Sequence, residues 1–177
     1  MNFDNFSIRL LRMYDLSAYY QLIERNRKRL EDFFTGTVSK TQTLEKTETF
    51  LKEITKKAEE KTYFPFVIVD TVTDLFVGFV DFKNIDWSVP KAEIGFYMDE
   101  KYAGKGYGSR ALSLITEHGF DVLGFKKLFL RTHQSNSASR RIAEKCGFEM
   151  EGTLRRDYKT TAGELIDLLY YGKLSKG

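Results

Sequence analysis

Residues 100–108 read Glu-Lys-Tyr-Ala-Gly-Lys-Gly-Tyr-Gly and lie between a stretch that alternates like a strand and a stretch spaced like a helix. Glycine occupies every second position from 104 to 108. Because glycine inside regular structure costs about 0.5 to 1 kcal/mol relative to alanine, this concentration indicates that the bare backbone approaches a ligand. Successive N–H groups and the positive end of a helix dipole can bind an anion there. The stretch therefore predicts a phosphate-binding loop.

This glycine pattern differs from the two best-known phosphate loops. A dinucleotide-binding loop requires G-x-G-x-x-G, but the last position is Ser109 counted from Gly104 and Ala111 counted from Gly106. A Walker loop requires Ser or Thr directly after its lysine, whereas Lys105 is followed by glycine. On this stretch alone, a glycine-rich turn without a ligand stays an alternative.

The composition is that of an ordinary folded protein. Of 177 residues, 42% are apolar and 30% charged, which favours one globular domain spanning residues 1–177. The formal net charge of +3 is too small to indicate nucleic acid as the main partner. The basic cluster at residues 25–29 is interpreted as a solvent-exposed helix face.

The numbers of cysteines and histidines and the lengths of the apolar runs exclude several other classes of protein. The single cysteine, Cys146, excludes an internal disulfide, and with only two histidines the chain offers little for a metal site, so none is predicted. The N-terminal residues lack the pattern of a signal peptide, and no apolar run approaches the roughly 18 residues of a membrane span. We expect a cytoplasmic protein without membrane contact.

The hydrophobic period predicts a mixed α+β (α/β mixed) protein. Helices are expected at residues 15–32, 44–58, 107–123 and 136–145, and strands at 6–12, 64–70, 75–85, 92–98, 127–132, 148–159 and 164–174. The polar segment 33–43 is predicted to be a loop. Residues 92–132 then form a βαβ unit, whose two strands should be parallel with a right-handed crossover.

With these elements in place, the chain resembles the GNAT superfamily of acetyl-CoA-dependent N-acetyltransferases, and within it the RimJ/RimL type that acetylates protein N-terminal amines. Residues 103–108 match the family motif R/Q-x-x-G-x-G/A, and the preceding A-E-I-G-F-Y at 92–97 is similar to the A-E-I-G-Y-W strand of the group. Asn136 with Ser139, then G-F at 147–148 and E-G at 151–152, match further signatures in order. The resemblance implies a twisted, mostly antiparallel sheet of about seven strands, with a splayed parallel pair in the middle and about four flanking helices.

The resemblance also implies where acetyl-CoA binds and where CoA, the product, is released. The pyrophosphate would lie on the backbone of Ala103, Gly104, Lys105, Gly106, Tyr107, Gly108 and Ser109. The pantetheine arm would pair with the backbone of Phe96, Tyr97 and Met98 like an added strand, with Asn136 and Ser139 near the sulfur.

Two positions depart from the family pattern. Ala103 stands where the family often has Arg or Gln, so one side-chain contact to phosphate is missing. Ala143 stands where many relatives have the tyrosine that protonates the leaving thiolate. Ser139 or Tyr158 can take over that step, directly or through water.

Glu93 is the one carboxylate on the strand expected to hold the thioester, and two roles for it stay open. Three residues of a strand place it about 10 Å from Phe96, so a general base would act through water. The alternative is a structural carboxylate paired with Lys91 or with an arginine of a neighbouring strand.

Three functions stay open as well. Group resemblance favours an acetyltransferase for protein N-termini; the others are an acetyltransferase for a small amine, such as a polyamine, amino acid or antibiotic, and a non-catalytic CoA-binding sensor. The partner would be a protein N-terminus or small amine rather than nucleic acid or membrane, and a homodimer is left open.

Overall fold

A computed structural model describes residues 1–176, in which one eight-stranded sheet carries helices on both faces. The strands are β1 (Asn2–Phe3), β2 (Phe6–Leu10), β3 (Phe64–Asp70), β4 (Leu75–Asp86), β5 (Lys91–Met98), β6 (Lys127–Thr132), β7 (Glu149–Lys159) and β8 (Leu165–Leu174). The α-helices are α1 (Leu16–Leu30), α2 (Thr35–Lys40), α3 (Leu44–Glu59), α4 (Tyr107–Asp121) and α5 (Ser137–Lys145).

The strand order β1-β2-β3-β4-β5-β6-β8-β7 is antiparallel throughout, except for β5 and β6. These two strands flank α4, and their parallel pairing confirms the predicted βαβ unit. The α+β fold class is thereby confirmed. The described residues hold one more strand and one more α-helix than expected, because β1 and α2 were too short to give a periodic signal.

Residues 33–43 are not the loop that their polar composition predicts, because Thr35–Lys40 form α2. Val38 is the buried residue of this helix and packs into a cluster that includes Leu30 and Phe50. One buried residue in a polar segment is too sparse to indicate a helix, since the predicted stripe needs repeated apolar positions.

Apolar side chains form one cluster on each face of the sheet. The first includes Leu112 of α4 packed with strand residues such as Ile94, and the second includes Leu22 of α1 and Leu51 of α3 packed with Tyr97. Because successive strand residues point to opposite faces, β5 contributes to both clusters. Glu93 therefore lies on the face covered by α1 and α3.

The parallel pair β5 and β6 separates part-way along its length. In the described chain its Cα partners are Lys91 with Lys127, Ala92 with Leu128, and Glu93 with Phe129. Beyond them, β5 stays paired with β4 as far as Met98, and β6 stays paired with β8 as far as Thr132. A wedge with unpaired backbone groups therefore opens in the middle of the sheet, and such groups need a partner.

The interpretation of residues 25–29 as a solvent-exposed face is wrong in part. The Arg25 guanidinium donates to Asp99 at 3.1 Å and to the Phe76 carbonyl at 2.7 Å. Asn26 is buried, and Arg29 donates to the carbonyl of Met98. These contacts join α1 to the ends of β4 and β5, because the inward stripe of α1 continues through its basic end.

Candidate active site

The wedge between β5 and β6 opens into a cavity of about 500 Å³. Its walls come from β5, β6, α4 and α5, and from the end of α1, the segment before α2, and the β7–β8 hairpin. Most predicted site residues line it, namely Glu93, Phe96, Tyr97, Met98, Ala103, Gly104, Gly106, Gly108, Ser109, Asn136, Ser139 and Tyr158. The fold therefore brings together residues that are far apart in the sequence.

Lys105 and Tyr107 are the two predicted cofactor residues that are not part of this lining. The Lys105 ammonium lies 5.9 Å from the centre of the Tyr102 ring, and the Tyr107 ring packs 4.7 Å from that of Phe6. Their contribution to a ligand would therefore come from the backbone.

The glycine loop has the geometry of an anion site. Gly104 and Gly106 have φ of 74° and 83°, a region that favours glycine, and no other group lies within 4 Å of a Cβ built on either. Gly106 is the residue before α4, so the N–H groups of residues 107–109 have no acceptor inside the helix. A Cβ on Gly108 would instead crowd Ile142 and Phe96 at 3.2 and 3.3 Å.

The end of β5 presents backbone groups to the wedge, although the Met98 carbonyl already accepts from Arg29. The N–H of Asp99 donates to the Val77 carbonyl at 2.7 Å, on the β4 side. Because alternate residues of a strand direct their N–H and C=O groups to opposite sides, Phe96 and Met98 direct theirs into the wedge. An extended chain that carries amides can pair there.

Asn136 precedes α5, and its side-chain oxygen accepts the N–H of Ser139 at 3.1 Å. The amide nitrogen of Asn136 is then the group left to donate to a ligand. Arg141 and Lys145 of α5 also line the cavity, although the sequence reasoning did not single them out. Their spacing of four residues, which places both on one helix face after the Asn136 signature, was the available signal.

Tyr158 lies on β7 and lines the cavity. Its hydroxyl accepts the backbone N–H of Thr35 at 2.9 Å and donates to the Thr35 hydroxyl at 3.0 Å. The pair bridges the β7–β8 hairpin and the start of α2.

Glu93 is buried and fully engaged on one of its oxygens. Oε2 accepts from Asn84 at 2.7 Å and from Arg131 at 2.8 Å, while Oε1 lies 3.7 Å from the Lys83 ammonium. Arg131 is the arginine of a neighbouring strand foreseen for the structural role, whereas Lys91 pairs with Asp86 instead. Within the described residues no side chain donates a hydrogen bond to Oε1, so Oε1 is the oxygen left to accept one from water.

Lys83 keeps its charge in this setting. Burial alone would lower its pKa, but the nearby carboxylates of Asp81 and Glu93 outweigh burial, so the pKa of Lys83 lies above its ordinary value. The same balance raises the pKa of Arg131, which is paired with Glu93 and Asp157. Glu93 therefore sits between two cations.

A family model described as the acetyltransferase (GNAT) domain matches residues 5–149. This chain belongs to the GNAT acetyltransferase family. It is an acetyl-CoA-dependent N-acetyltransferase. The resemblance drawn from the sequence motifs is confirmed at the level of the GNAT family.

Curated relatives of this GNAT enzyme include proteins with different named substrates. It is 31% identical over 111 residues to the uncharacterized N-acetyltransferase p20 of Bacillus licheniformis, covering 63% of this chain and 62% of the relative. It is 26% identical to the putative ribosomal N-acetyltransferase YdaF of Bacillus subtilis, covering 98% and 93%. The match to spermidine N(1)-acetyltransferase of Escherichia coli has 33% identity over 81 residues, 46% of this chain and 44% of that protein.

Solved structures share the whole fold. Ribosomal-protein-S5-alanine acetyltransferase from Vibrio fischeri superposes with a TM-score of 0.91 at 22% identity, covering 98% of this chain and 95% of that one. RimL, a ribosomal L7/L12 α-N-protein acetyltransferase solved in complex with CoA, gives 0.88 at 19% identity, covering 97% and 95%.

The acceptor end of this GNAT enzyme's cavity, defined by the lining residues 29, 30, 33, 34, 83, 93, 131, 158, 166 and 168, is apolar and cationic. Phe33, Phe34, Ile166 and Leu168 form the apolar part. Of the charged residues there, Arg29, Lys83 and Arg131 are cations, and Glu93 is the carboxylate.

Cys146 is not part of this cavity's lining. Cys146 is buried and its thiol donates to the Ser109 carbonyl at 3.2 Å, so it serves packing. Within residues 1–176, no three His, Cys, Asp or Glu side chains gather in a metal-binding group. No helix in that part of the chain has the length and apolar character needed to cross a bilayer.

Proposed function

We propose that this GNAT enzyme acetylates the α-amine of a protein N-terminus by direct attack in a ternary complex with acetyl-CoA. The observation that carries the proposal is the charge of the acceptor end, where the one carboxylate is already paired with Arg131 and flanked by Lys83. A polyamine keeps further positive charges beside the reacting amine and needs free carboxylates to bind them. A protein N-terminus has a single α-amine and follows it with neutral peptide groups, which suit the apolar walls.

In this proposal, residues of three elements bind different parts of acetyl-CoA. The N–H groups of residues 107–109 bind the pyrophosphate, and each bond to a charged oxygen is worth about 1.5 to 3 kcal/mol. The backbone of Phe96 and the N–H of Met98 pair with the pantetheine amides, because the Met98 carbonyl already accepts from Arg29, and the Asn136 amide donates near the sulfur. Arg141 and Lys145 supply the phosphate-binding charge that Ala103 lacks.

Acetyl-CoA supplies an acetyl group already activated as a thioester. The backbone N–H groups near Phe96 polarise the carbonyl oxygen while the amine forms the new N–C bond and the C–S bond breaks. Glu93 receives the amine's proton through a water on Oε1, and Ser139 passes a proton from water to the leaving thiolate. An α-amine has a pKa near 8, so part of it is neutral at pH 7, and the remaining fraction loses its proton to the base.

Ala143, which gave the only argument for a non-catalytic CoA sensor, is fully buried in the core cluster. Ala143 is not part of the cavity lining, whereas Ser139 of the same helix is, so this proposal assigns the proton donor to Ser139.

The test measures acetyl transfer from acetyl-CoA to a panel of acceptors by mass spectrometry. The panel holds peptides with free N-termini, the same peptides with blocked N-termini and one internal lysine, and spermidine. We expect one acetyl group on the free N-termini and none on the blocked peptides. Turnover of spermidine alone, or of the lysine side chains, would contradict the proposal.

A further inference from the structure

Arg29 differs from the other cations at the acceptor end because its charge has no carboxylate partner among residues 1–176. Arg131 pairs with Glu93 and Asp157, and Lys83 lies beside Glu93. The guanidinium of Arg29 donates to the neutral carbonyl of Met98. A guanidinium has five donors, so this bond leaves most of its hydrogen-bonding capacity unused.

The surroundings of Arg29 favour an anion over a cation. Arg29 is half-buried and lines the cavity beside the apolar residues Phe33 and Phe34. Solvent screening is weaker in such a place than on an open surface, so a second positive charge is repelled and a carboxylate is attracted. Arginine is also the side chain best suited to bind a carboxylate with two parallel hydrogen bonds.

The position of Arg29 along β5 gives the distance between the anion and the reacting amine. Met98 lies two residues beyond Phe96, which is about 7 Å along the strand. In a peptide, a side-chain carboxylate on the second or third residue reaches that far from the α-amine, since each residue of an extended chain spans about 3.3 to 3.6 Å. A carboxylate on the next residues of an N-terminus therefore fits.

We propose that the acceptor N-terminus carries Asp or Glu at its second position, and that Arg29 binds this carboxylate and so determines specificity. This inference rests on the proposed function and narrows its substrate class. It also explains why α1 places the charge of Arg29 in the cavity lining.

The experiment compares three C-terminally amidated hexapeptides that differ only at the second residue: Ser-Asp-Ala-Ala-Ala-Tyr, the same peptide with Asn, and the same peptide with Lys. We expect kcat/KM for the Asp peptide to exceed that for the Lys peptide by about tenfold or more, and the difference to narrow as salt rises. In Arg29→Gln the ratio of Asp to Asn peptide should fall to near one, and in Arg29→Glu the Lys peptide should become the better substrate.

Lys28→Gln is the matched control, because it removes one positive charge from the adjacent, exposed position of α1 and should leave the ratio unchanged. The wild-type ranking of the peptides tests the inference even if an Arg29 variant fails to fold. Equal turnover of the three peptides, or a preference that survives Arg29→Gln, overturns the inference and leaves the proposed function standing. No turnover of any peptide, with spermidine acetylated, removes both.

Discussion

The hydroxyl of Tyr158 makes two hydrogen bonds with one residue, Thr35. It accepts the Thr35 N–H at 2.9 Å and donates its own proton to the Thr35 side chain at 3.0 Å. A phenol on β7 is thereby joined to the first residue of α2, directly after the lining residue Phe34. Because its proton is donated to Thr35, we assign Tyr158 a positioning role in the proposed reaction.

We predict different kinetic losses for the two hydroxyl residues. Ser139→Ala should lower kcat by about 10-fold or more, because it removes the proposed proton donor. Tyr158→Phe should mainly raise KM for the acceptor, because it releases α2 while leaving the donor in place. Steady-state kinetics with both substrates varied measures the two effects separately.

Thr35→Val serves as the control for Tyr158→Phe, since it removes the hydroxyl that accepts the phenol's proton and should shift the same parameter. Full turnover in Ser139→Ala together with lost turnover in Tyr158→Phe would reverse the assignment. Full turnover in both would mean that the thiolate leaves without an acid.

Glu93→Gln is predicted to lower turnover by about 10²-fold, with partial recovery at higher pH, because glutamine keeps the shape but cannot accept a proton. Recovery follows from the acceptor itself, whose amine loses its proton as pH rises past about 8. The measurement is kcat against pH for both proteins. A normal rate with an unchanged profile would leave Glu93 a structural residue.

The free energy of unfolding tests the structural role of Glu93 separately from its role as a base. Removing one partner from a buried ion pair costs about 3 to 5 kcal/mol, so Glu93→Gln should also lower the free energy of unfolding. Asp157→Asn is the matched control, because it removes the other, more exposed partner of Arg131. It should cost less than about 1 kcal/mol and leave the pH profile unchanged.

Gly106→Val is predicted to weaken acetyl-CoA binding at least about tenfold, or 1.4 kcal/mol, because a branched side chain would fill the space in front of the α4 N–H groups. Calorimetry measures the affinity. Gly124→Val is a close control: its φ of 81° matches the 83° of Gly106, no other group lies within 4 Å of either added Cβ, and Gly124 is not part of the cavity lining. Equal affinities in the two variants would remove the phosphate cradle from the proposal.

Gly95→Ala is predicted to destabilise the protein by about 1 to 3 kcal/mol, because its methyl group would overlap the Asp81 carboxylate. That carboxylate accepts the Gly95 N–H at 2.9 Å and also binds the Tyr63 hydroxyl. Gly36→Ala in α2 meets nothing within 4 Å and should be neutral or stabilising. Denaturant unfolding compares the two, and equal midpoints would contradict this account of Gly95.

The elements and residues that the sequence could predict are those with a local signal. Strand β5, the glycine loop and α4 follow one another with clear periods, and their bounds differ from prediction by at most two residues. Arg29, Lys83 and Arg131 had no such signal. They meet in one cavity only because α1, β4 and β6 pack around β5, and pairing between distant elements is not encoded in any local period.

The separation of β5 from β6 also divides the sheet mechanically. Strands β1 to β5 form one half of the sheet, and strands β6, β8 and β7 form the other. Three residue pairs between β5 and β6 join the edges of the two halves. A molecule seated in the wedge with hydrogen bonds to both edges would act as a brace across this hinge. Ligand binding in the wedge should therefore slow amide hydrogen exchange along β8 and β7, far from the ligand.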